Sequence, residues 1–309
     1  ISSNIENEKK DKINEIKNKS LLYIFQKTLE HKNYIKLNNI LTEDLINTFI
    51  KNIIINDEKI INDKYFSKIK INFDKKKIVN FYREKDIPYV DYFPNKFLLI
   101  ISENDKINNN LFSKNNNFYA FYKLNLKNNN IFKIPNLDIN DRFILKLDHI
   151  KNRNFEKIKS FSNKYNLNEV IIVLANKDND KVIYDLILYS DGEIFEKRLE
   201  FNEYKLMKFY EILEFETINV WKKVNQIQNK SLNIVSCKLN YFNMFELKEI
   251  RNKLDNISII ENIEIKSLSY KNIKYDIYFY GNIKNLKKIF IIKYLNIKNL
   301  DNICSISLK

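Results

Sequence analysis

Glycine is scarce in this chain: two of its 309 residues are glycine, Gly192 and Gly281. A dinucleotide-binding loop needs several closely spaced glycines, and a P-loop needs glycine followed by lysine and then serine or threonine. The sequence "YGNIKNLKK" around Gly281 has neither pattern, which argues against a phosphate-binding loop at this position. We therefore predict that Gly281 is a structural turn between a strand and a helix, with Asn282 as the helix N-cap.

Cysteine and histidine are equally scarce, with two residues of each. Two cysteines exclude a zinc module built on cysteines and a dense disulfide framework. Cys237 and Cys304 fall on the first and last strands predicted for the C-terminal region, which would be antiparallel neighbours. The sequence favours two buried thiols and leaves a disulfide between these strands open. His31 and His149 lie far apart without partners at ligand spacing, so we predict no metal site.

Long apolar runs and catalytic signatures are also missing. No apolar run approaches the roughly 18 residues that span a bilayer, so we predict no transmembrane segment. No nucleophile elbow of the form G-x-S-x-G occurs, and nothing in the sequence selects a pair of carboxylates. We therefore predict no catalytic residue, no cofactor, no identifiable small-molecule ligand and no enzymatic activity.

Positive charge is present in excess, because 53 lysines and arginines face 39 aspartates and glutamates, for a net charge of +14. Such an excess points to nucleic acid or an anionic surface as a partner. The lysines, however, are interleaved with acidic residues and asparagines along the chain. Lysine, asparagine, isoleucine, phenylalanine and tyrosine also share AT-rich codons, so genome composition explains the excess as well as function does.

Hydrophobic residues make up 44% of the chain, which is enough to form real cores. The pattern predicts a soluble α+β protein of three consecutive units. These are a small α+β domain (1–95), a layered α/β domain (96–230) and a C-terminal ferredoxin-like βαββαβ domain (231–309). In the first, "LTEDLINTFIKNI" reads as a helix with Thr42 as its N-cap. In the second, "KFLLIIS" reads as a buried strand that precedes a three-stranded meander.

The asparagine-rich region 104–130 is predicted to be an irregular surface excursion of the middle domain. Its aromatic residues are candidates for contact with a protein partner, because exposed aromatic patches mark such surfaces. These candidates are Phe112, Phe118, Phe121 and Tyr122.

The predicted third strand of the last domain, "YDIYFYG", is rich in aromatic residues. An RRM has the same order of elements and stacks RNA bases on aromatic rings of its third and first strands. Tyr275 and Phe279 lie on one face of this strand by alternation. The glycine and the basic start of the RRM signature are missing, however, and the first strand, "SLNIVSCKLN", has no aromatic residue at the stacking position.

The last domain also carries a family resemblance. An aromatic residue opens its first helix, an Ile-Arg pair follows within that helix, and a short apolar strand comes next. A strand ending in Tyr-x-Gly then precedes a leucine-rich helix. The chain resembles here an uncharacterised proteobacterial envelope family of predicted exported proteins with a domain of unknown function. The matching positions are Phe245, Ile250, Arg251, Ile260, Ile263, Tyr278 to Gly281, Leu286 and Ile289.

Two further stretches are similar to that family: "INFDKKKIVNFYREKDIPYV" followed by "FLLIIS", and the Trp221-Lys222 pair that closes a long helix. The middle region resembles the amino-terminal α/β domain of the Tol-B type. The chain departs from the family at "LFSKNNNFYAFY", where it has phenylalanine and tyrosine in place of tryptophans. The family has no established active site, so the resemblance implies no catalytic residue.

The resemblance implies a periplasmic or envelope-associated protein, whose signal peptide would have been removed ahead of Ile1. We therefore predict a non-enzymatic binding or scaffolding protein of the bacterial cell envelope. It would act through protein–protein contacts, at a sheet edge or at region 104–130. The alternative is a cytoplasmic RNA-binding protein that uses a basic surface and the aromatic third strand of the last domain.

Overall fold

The computed structural model describes residues 3–61, 64–94, 96–104, 109–126, 131–178, 181–190, 192–201, 205–228, 231–269, 272–298 and 304–309. The chain is an α+β protein, as predicted. It divides into two compact units, of which unit 1 combines Ile1–Phe93 with Asn225–Lys309 and unit 2 consists of Pro94–Val224. The predicted domains 1–95 and 231–309 are therefore parts of one unit, because their apolar residues share a common core.

In the described part of the chain, the helices are α1 (Ser3–Thr28), α2 (His31–Asn38), α3 (Glu43–Phe49), α4 (Lys75–Glu84), α5 (Asn117–Asn125), α6 (Ile139–Ile144), α7 (Leu147–Lys151), α8 (Phe155–Lys164), α9 (Leu206–Asn225), α10 (Met244–Asp255) and α11 (Ile283–Ile292). The strands are β1 (Ile50–Ile61), β2 (Lys64–Phe73), β3 (Phe97–Asn104), β4 (Asn109–Asn110), β5 (Phe132–Lys133), β6 (Glu169–Asp178), β7 (Lys181–Ser190), β8 (Glu193–Phe201), β9 (Leu232–Asn240), β10 (Ile260–Ser269), β11 (Asn272–Tyr280), β12 (Leu295–Lys298) and β13 (Cys304–Leu308).

Unit 2 is built on a mixed sheet with the strand order β4-β3-β6-β7-β8, and β5 pairs with β3. The predicted strand "KFLLIIS" is β3, whose first five residues are completely buried. It pairs in parallel with β6, and β6, β7 and β8 form the predicted antiparallel meander. A continuous apolar run in β3 is what a strand covered on both faces requires.

The core of unit 1 draws on both of its segments. Phe25 of α1 and Tyr82 of α4 come from the first segment, and their rings meet edge to face at 5.5 Å. The same core contains Ile277 of β11 and Phe290 of α11 from the second segment. Neither segment encloses this core alone, which is why they form one unit.

The sheet of unit 1 has the order β10-β11-β9-β13-β12. It differs from the predicted ferredoxin-like sheet at the C-terminus of the chain, where the two strands β12 and β13 replace the single final strand that was predicted. Since β12 and β13 pair antiparallel, β13 runs parallel to β9 rather than antiparallel to it. The sequence did not show this additional reversal of the chain.

Cys237 and Cys304 are directly paired residues of β9 and β13, with a Cα–Cα distance of 4.3 Å. The structure joins them in a disulfide, so they are a bridge rather than two buried thiols. Both residues are completely buried. The two strands are neighbours, as predicted. They run parallel, so the predicted antiparallel direction was wrong.

The remaining sheet of unit 1 is the two-stranded antiparallel pair of β1 and β2. Its first strand starts at Ile50, inside the stretch that the sequence analysis assigned to a helix reaching residue 53. The predicted N-cap of that helix is correct, because the Thr42 side chain accepts a hydrogen bond from the Leu45 N–H.

Across the described residues, none of the helices combines the length and the apolar character that crossing a bilayer would take.

Candidate functional site

The aromatic residues predicted to contact a partner belong instead to the core of unit 2: Phe112, Phe118, Phe121 and Tyr122. Phe112 stacks on Phe161 with 5.2 Å between ring centroids, and Phe118 packs edge to face against Phe209 at 5.0 Å. Tyr122 is buried as well, whereas Phe121 is half-buried and stacks on Tyr210. The prediction of a partner surface is therefore wrong here, because packing already occupies these rings.

Helix formation explains why this region is not an irregular excursion. Asn116 caps α5, and its side chain accepts hydrogen bonds from the backbone N–H groups of Phe118 and Tyr119. The same side chain donates to the carbonyl oxygens of Ile101 and Asn110. Residues 105–108 and 127–130 of the predicted excursion lie outside the described residues.

The aromatic pair of β11 does not form a base-stacking surface. Tyr275 and Phe279 are buried on the face of the strand that packs into the core. Tyr278 lies on the opposite face, and its hydroxyl donates to Glu264 at 3.0 Å. A carboxylate at this position repels phosphate. Of the observations that favoured the alternative of RNA binding, only the positive charge of the chain therefore still supports it.

Gly281 lies at the corner between β11 and α11 with φ +86°. This is the left-handed region that glycine adopts at little cost. Asn282 caps the following helix, and its side chain accepts a hydrogen bond from the Asn285 N–H at 2.8 Å. Gly281 is thus placed at the turn that the sequence indicated.

A groove of about 300 Å³ lies along the outer edge of the unit 1 sheet. One wall is the edge strand β10, which contributes Ile260, Glu261, Asn262, Ile263 and Ile265. In the described part of the chain, no strand pairs with the outer edge of β10. Main-chain hydrogen-bonding groups of an edge strand are open to pairing with another chain.

The other wall of the groove is the C-terminal half of α10, with Arg251, Leu254 and Asp255. Lys76, from the first turn of α4, completes the lining at the surface. An adjoining hollow of about 350 Å³ shares Lys76 and Asp255 and also contains Lys51. The site therefore combines residues from both segments of unit 1, which are far apart in sequence.

Arg83 of α4 holds the two segments together beside the groove. Its guanidinium donates to the Ser258 carbonyl at 2.7 Å and to Glu261 at 2.9 Å. The same guanidinium lies over the ring of Tyr280, 4.0 Å from the centroid. These contacts fix α4 against the start of β10, so Lys76 is held at the groove.

The side chains of Lys76, Arg251 and Asp255 are unpaired in the described part of the chain. None of the three has an ion-pair or hydrogen-bond partner among the residues that the structure describes. All three are exposed to solvent, and all three line the same groove. Glu261 also lines the groove but pairs with Arg83, so the unpaired charges of the lining are two cations and one anion.

Tyr275 lies at the base of the groove and is 2% exposed. Its hydroxyl has no hydrogen-bond partner in the described part of the molecule. Burial raises the pKa of this phenol, while the nearby Arg251 opposes the shift. The hydroxyl is closed to solvent, so it lies beneath the groove and not among the groups that a ligand would meet.

Together, Arg251 and Lys76 offer N–H donors for a carboxylate or a similar anionic group. Asp255 can accept a hydrogen bond from a backbone or amine donor of the same ligand. The open edge of β10 offers main-chain pairing to an extended segment. The arrangement is thus suited to binding an extended peptide with a carboxylate.

Sequence reasoning anticipated a sheet edge as a partner surface but missed the charged residues of the groove. Arg251 stood out there only as part of the family resemblance, and Lys76 and Asp255 did not stand out at all. No sequence signal connects them, because their meeting depends on the packing of the first segment against the last.

A comparison with protein-family models found no match for the chain, and neither did comparisons with curated proteins and with solved structures. The resemblance to the envelope family therefore stays a prediction that rests on the quoted residues.

Proposed function

We propose that the protein is a non-enzymatic binding protein that takes an extended, carboxylate-bearing peptide segment of a protein partner into the groove between β10 and α10. The observation that carries the proposal is the open edge of β10 beside Arg251 and Lys76, which have no ion-pair partner among the described residues. The partner segment adds a strand to the unit 1 sheet, and its carboxylate meets Arg251 and Lys76.

The register of β10 limits the length of the added strand. Pairing with β11 is regular from Asn262 to Ile265, and it is interrupted by register shifts before and after this stretch. Such irregularities bend a strand and shorten the edge that is open to pairing. We therefore expect the groove to take a short segment of about four residues in the extended conformation.

Side-chain specificity would come from the alternation along the strand. Ile263 is half-buried and Ile265 is largely exposed, and both line the groove. Residues two apart point to the same side of a strand. A partner with apolar side chains at alternate positions would cover these isoleucines and gain buried apolar area.

Selection from a library of random peptides with free carboxyl termini tests the proposal on the full chain. Fluorescence anisotropy then gives the Kd of the enriched peptides for wild-type protein and for Arg251→Ala. We expect the variant to weaken binding about tenfold, because a charge-assisted hydrogen bond contributes about 1.5–3 kcal/mol. Lys248→Ala, on the same helix but outside the groove, is the matched control and should leave the Kd unchanged.

Peptides with N-methylated backbone amides test the strand addition itself. Methylation at alternate residues removes main-chain donors without changing the side chains, and we expect it to abolish binding when it falls on the paired positions. A library that enriches no peptide, or equal affinity of Arg251→Ala and wild type, would contradict the proposal.

An envelope location is part of the proposed function and rests on the family resemblance. Fractionation of cells that express the full-length tagged protein tests it. A signal confined to the cytoplasm would remove the location from the proposal while leaving the groove as a peptide site.

A further inference from the structure

One end of the unit 1 sheet brings several loop tips together. The β9 strand ends there at Asn240, and the pairing of Asn240 with Asn272 places the start of β11 beside it. The β10 strand ends at the same level, with Ser269 opposite Asn272. The start of β12 also lies there, since Leu295 pairs with Leu308 at the end of β13.

Large apolar side chains crowd this end. We call it the apolar end and define it by five residues that are each between 68% and 83% exposed: Phe242, Met244, Phe245, Leu268 and Tyr294. A single exposed apolar side chain is ordinary on a protein surface, whereas several at one end of a sheet indicate a candidate interaction site. Phe242, Met244 and Phe245 lie at the start of α10, Leu268 lies near the end of β10, and Tyr294 lies between α11 and β12.

The backbone presents these side chains in a fixed way. Asn243 caps α10 by accepting a hydrogen bond from the Glu246 N–H at 2.9 Å. In return, the Glu246 carboxylate accepts a hydrogen bond from the Phe242 N–H at 2.7 Å. This reciprocal pair holds the loop, so Phe242 and Phe245 stand out from the surface without a large loss of entropy on binding.

Two lysines lie beside the apolar end. Lys248, one turn along α10, and Lys293, next to Tyr294, have no ion-pair partner in the part of the chain that the structure describes. Residues 225–309 contain 14 lysines and arginines and seven aspartates and glutamates. The segment is therefore net positive, and with Lys248 and Lys293 beside the apolar end it favours a negatively charged surface.

We infer that the apolar end inserts into an anionic lipid surface. The aromatic and methionine side chains enter the boundary between headgroups and acyl chains, and the lysines contact the negative headgroups. A lipid surface fits better than a protein pocket, because side chains exposed by two thirds or more stand clear of their neighbours and line no hollow. The inference does not depend on the proposed peptide groove, whose lining contains none of the five residues.

Co-sedimentation of the full chain with vesicles tests the inference. Vesicles of phosphatidylglycerol and phosphatidylcholine in equal parts are compared with vesicles of phosphatidylcholine alone. We expect the protein to bind the anionic vesicles at least about tenfold more strongly, and to lose most of this preference between about 0.1 M and about 0.5 M NaCl.

Substitutions separate the apolar and the charged contributions. The double variant Phe242→Ser/Phe245→Ser should reduce binding to anionic vesicles by about tenfold or more, since two aromatic side chains no longer enter the lipid. Phe143→Ser, an equally exposed phenylalanine of unit 2, is the matched control and should bind like wild type. Lys248→Glu/Lys293→Glu should reduce binding to anionic vesicles only, and Lys114→Glu should not.

Wild-type binding by the Phe242→Ser/Phe245→Ser variant, or no binding of the native chain to either vesicle, would overturn the inference. Equal binding to both vesicles would overturn it as well. Self-association that the double variant abolishes, without any vesicle binding, would assign the apolar end to a contact between proteins and would equally overturn it. Circular dichroism of each variant shows that the fold is retained, as expected for substitutions at exposed positions.

Discussion

Gly281 shows at the scale of one residue why glycine persists in a chain that has so little of it. Its φ of +86° strains any other residue, and a Cβ there would lie 3.1 Å from Cγ2 of Ile227. We expect Gly281→Ala to lower the free energy of unfolding of unit 1 by about 1–3 kcal/mol, from backbone strain and crowding together. Urea denaturation measures the loss.

Gly192→Ala is the control for that substitution. Gly192 has nearly the same φ, +87°, but among the described residues no atom beyond its chain neighbours lies within 4 Å of the position of its Cβ. It should show the backbone strain alone, about 1 kcal/mol, in the unfolding transition of unit 2. Equal losses at the two glycines would show that the contact with Ile227 adds nothing.

Asp276 gives unit 1 a dependence on pH. The hydrogen bond from Lys266 and a second one from Ser236 lower the pKa of its carboxyl group below the ordinary value. Since the folded-state pKa lies below the unfolded value of about 3.9, the carboxylate stabilises the native state above that pH. This contribution is lost as the pH falls through the folded-state pKa.

We therefore expect Asp276→Asn to lower the Tm at pH 7 and to lower it progressively less as the pH falls below about 4. Thermal melts followed by circular dichroism over this range measure the effect. Asp86→Asn, an exposed position of the same unit where the backbone suits asparagine, is the control. A difference from wild type that is the same at every pH would contradict the explanation.

Residue-level signals in the sequence were reliable where a side chain acts on its own backbone. The N-caps Thr42 and Asn282 and the turn at Gly281 follow from short-range chemistry and are found as predicted. Exposure was not predictable in the same way. An aromatic residue looks the same in the sequence whether it faces solvent or the core. Three-dimensional packing decides this for the aromatic residues of region 104–130 and of β11.

At the scale of elements, long stretches with a clear helix or strand period were assigned correctly. A stretch in which helix and strand signals compete was assigned wrongly. The β6–β8 meander and the succession from β9 to α11 follow the predicted order. The stretch Ile50–Ile53 was assigned to the end of a helix but belongs to β1, which continues through Ile54 and Ile55. Three consecutive β-branched residues favour a strand, and pairing with β2 supplies the partner that a single segment cannot show.

The disulfide between β9 and β13 acts at this scale, because it closes a loop with a sequence separation of 67 residues. Constraining a loop of this size in the unfolded chain contributes about 4 kcal/mol in the chain-entropy model, and less in many proteins. We expect Cys237→Ala/Cys304→Ala to lower the free energy of unfolding of unit 1 by about 2–4 kcal/mol.

Urea denaturation with and without a reducing agent measures the contribution of the disulfide. Reductant should bring wild-type protein close to the double variant and should leave the variant unchanged. Intact mass after alkylation of the unfolded, unreduced protein checks the bridge directly. Two alkylated thiols under these conditions would mean that the bridge does not form.

At the scale of the whole molecule, the interrupted unit 1 leads to a prediction about its parts. The Ile227 N–H donates to the Tyr89 carbonyl at 2.7 Å, so the chain leaves unit 1 and returns to it at neighbouring points. We expect unit 1 to stay folded when residues 94–224 are replaced by a short Gly-Ser linker, because short loops close at little entropic cost. Cooperative thermal unfolding of this variant is the measurement.

The segment 225–309 alone is the informative comparison for that experiment. Its core would lack Phe25 and Tyr82, which are both completely buried in unit 1. We expect it not to unfold cooperatively. Cooperative unfolding of the isolated segment with the Tm of the linked unit would show that 231–309 is an independent domain, as the sequence pattern alone suggested.

The discontinuity of unit 1 and the groove were beyond sequence reasoning for the same reason. Periodicity and capping report on neighbours along the chain, and they place elements in order without saying which distant elements share a core. The common core of the first and last segments, and with it the meeting of Lys76 with Arg251, depends on complementary packing over about 170 residues of chain, which one sequence does not display.

Because unit 1 is made of the first and last segments of the chain, it can complete its fold only late in synthesis. When residues 1–93 leave the ribosome, the segment that completes their core has not yet been translated. At about 5–20 residues per second, the intervening stretch alone takes roughly ten seconds to produce. For that time the apolar faces of α1 and α4 lack their final neighbours, while unit 2 can already fold. A chaperone that protects nascent chains would therefore act on this protein at its first segment and would be released once the last strand is made.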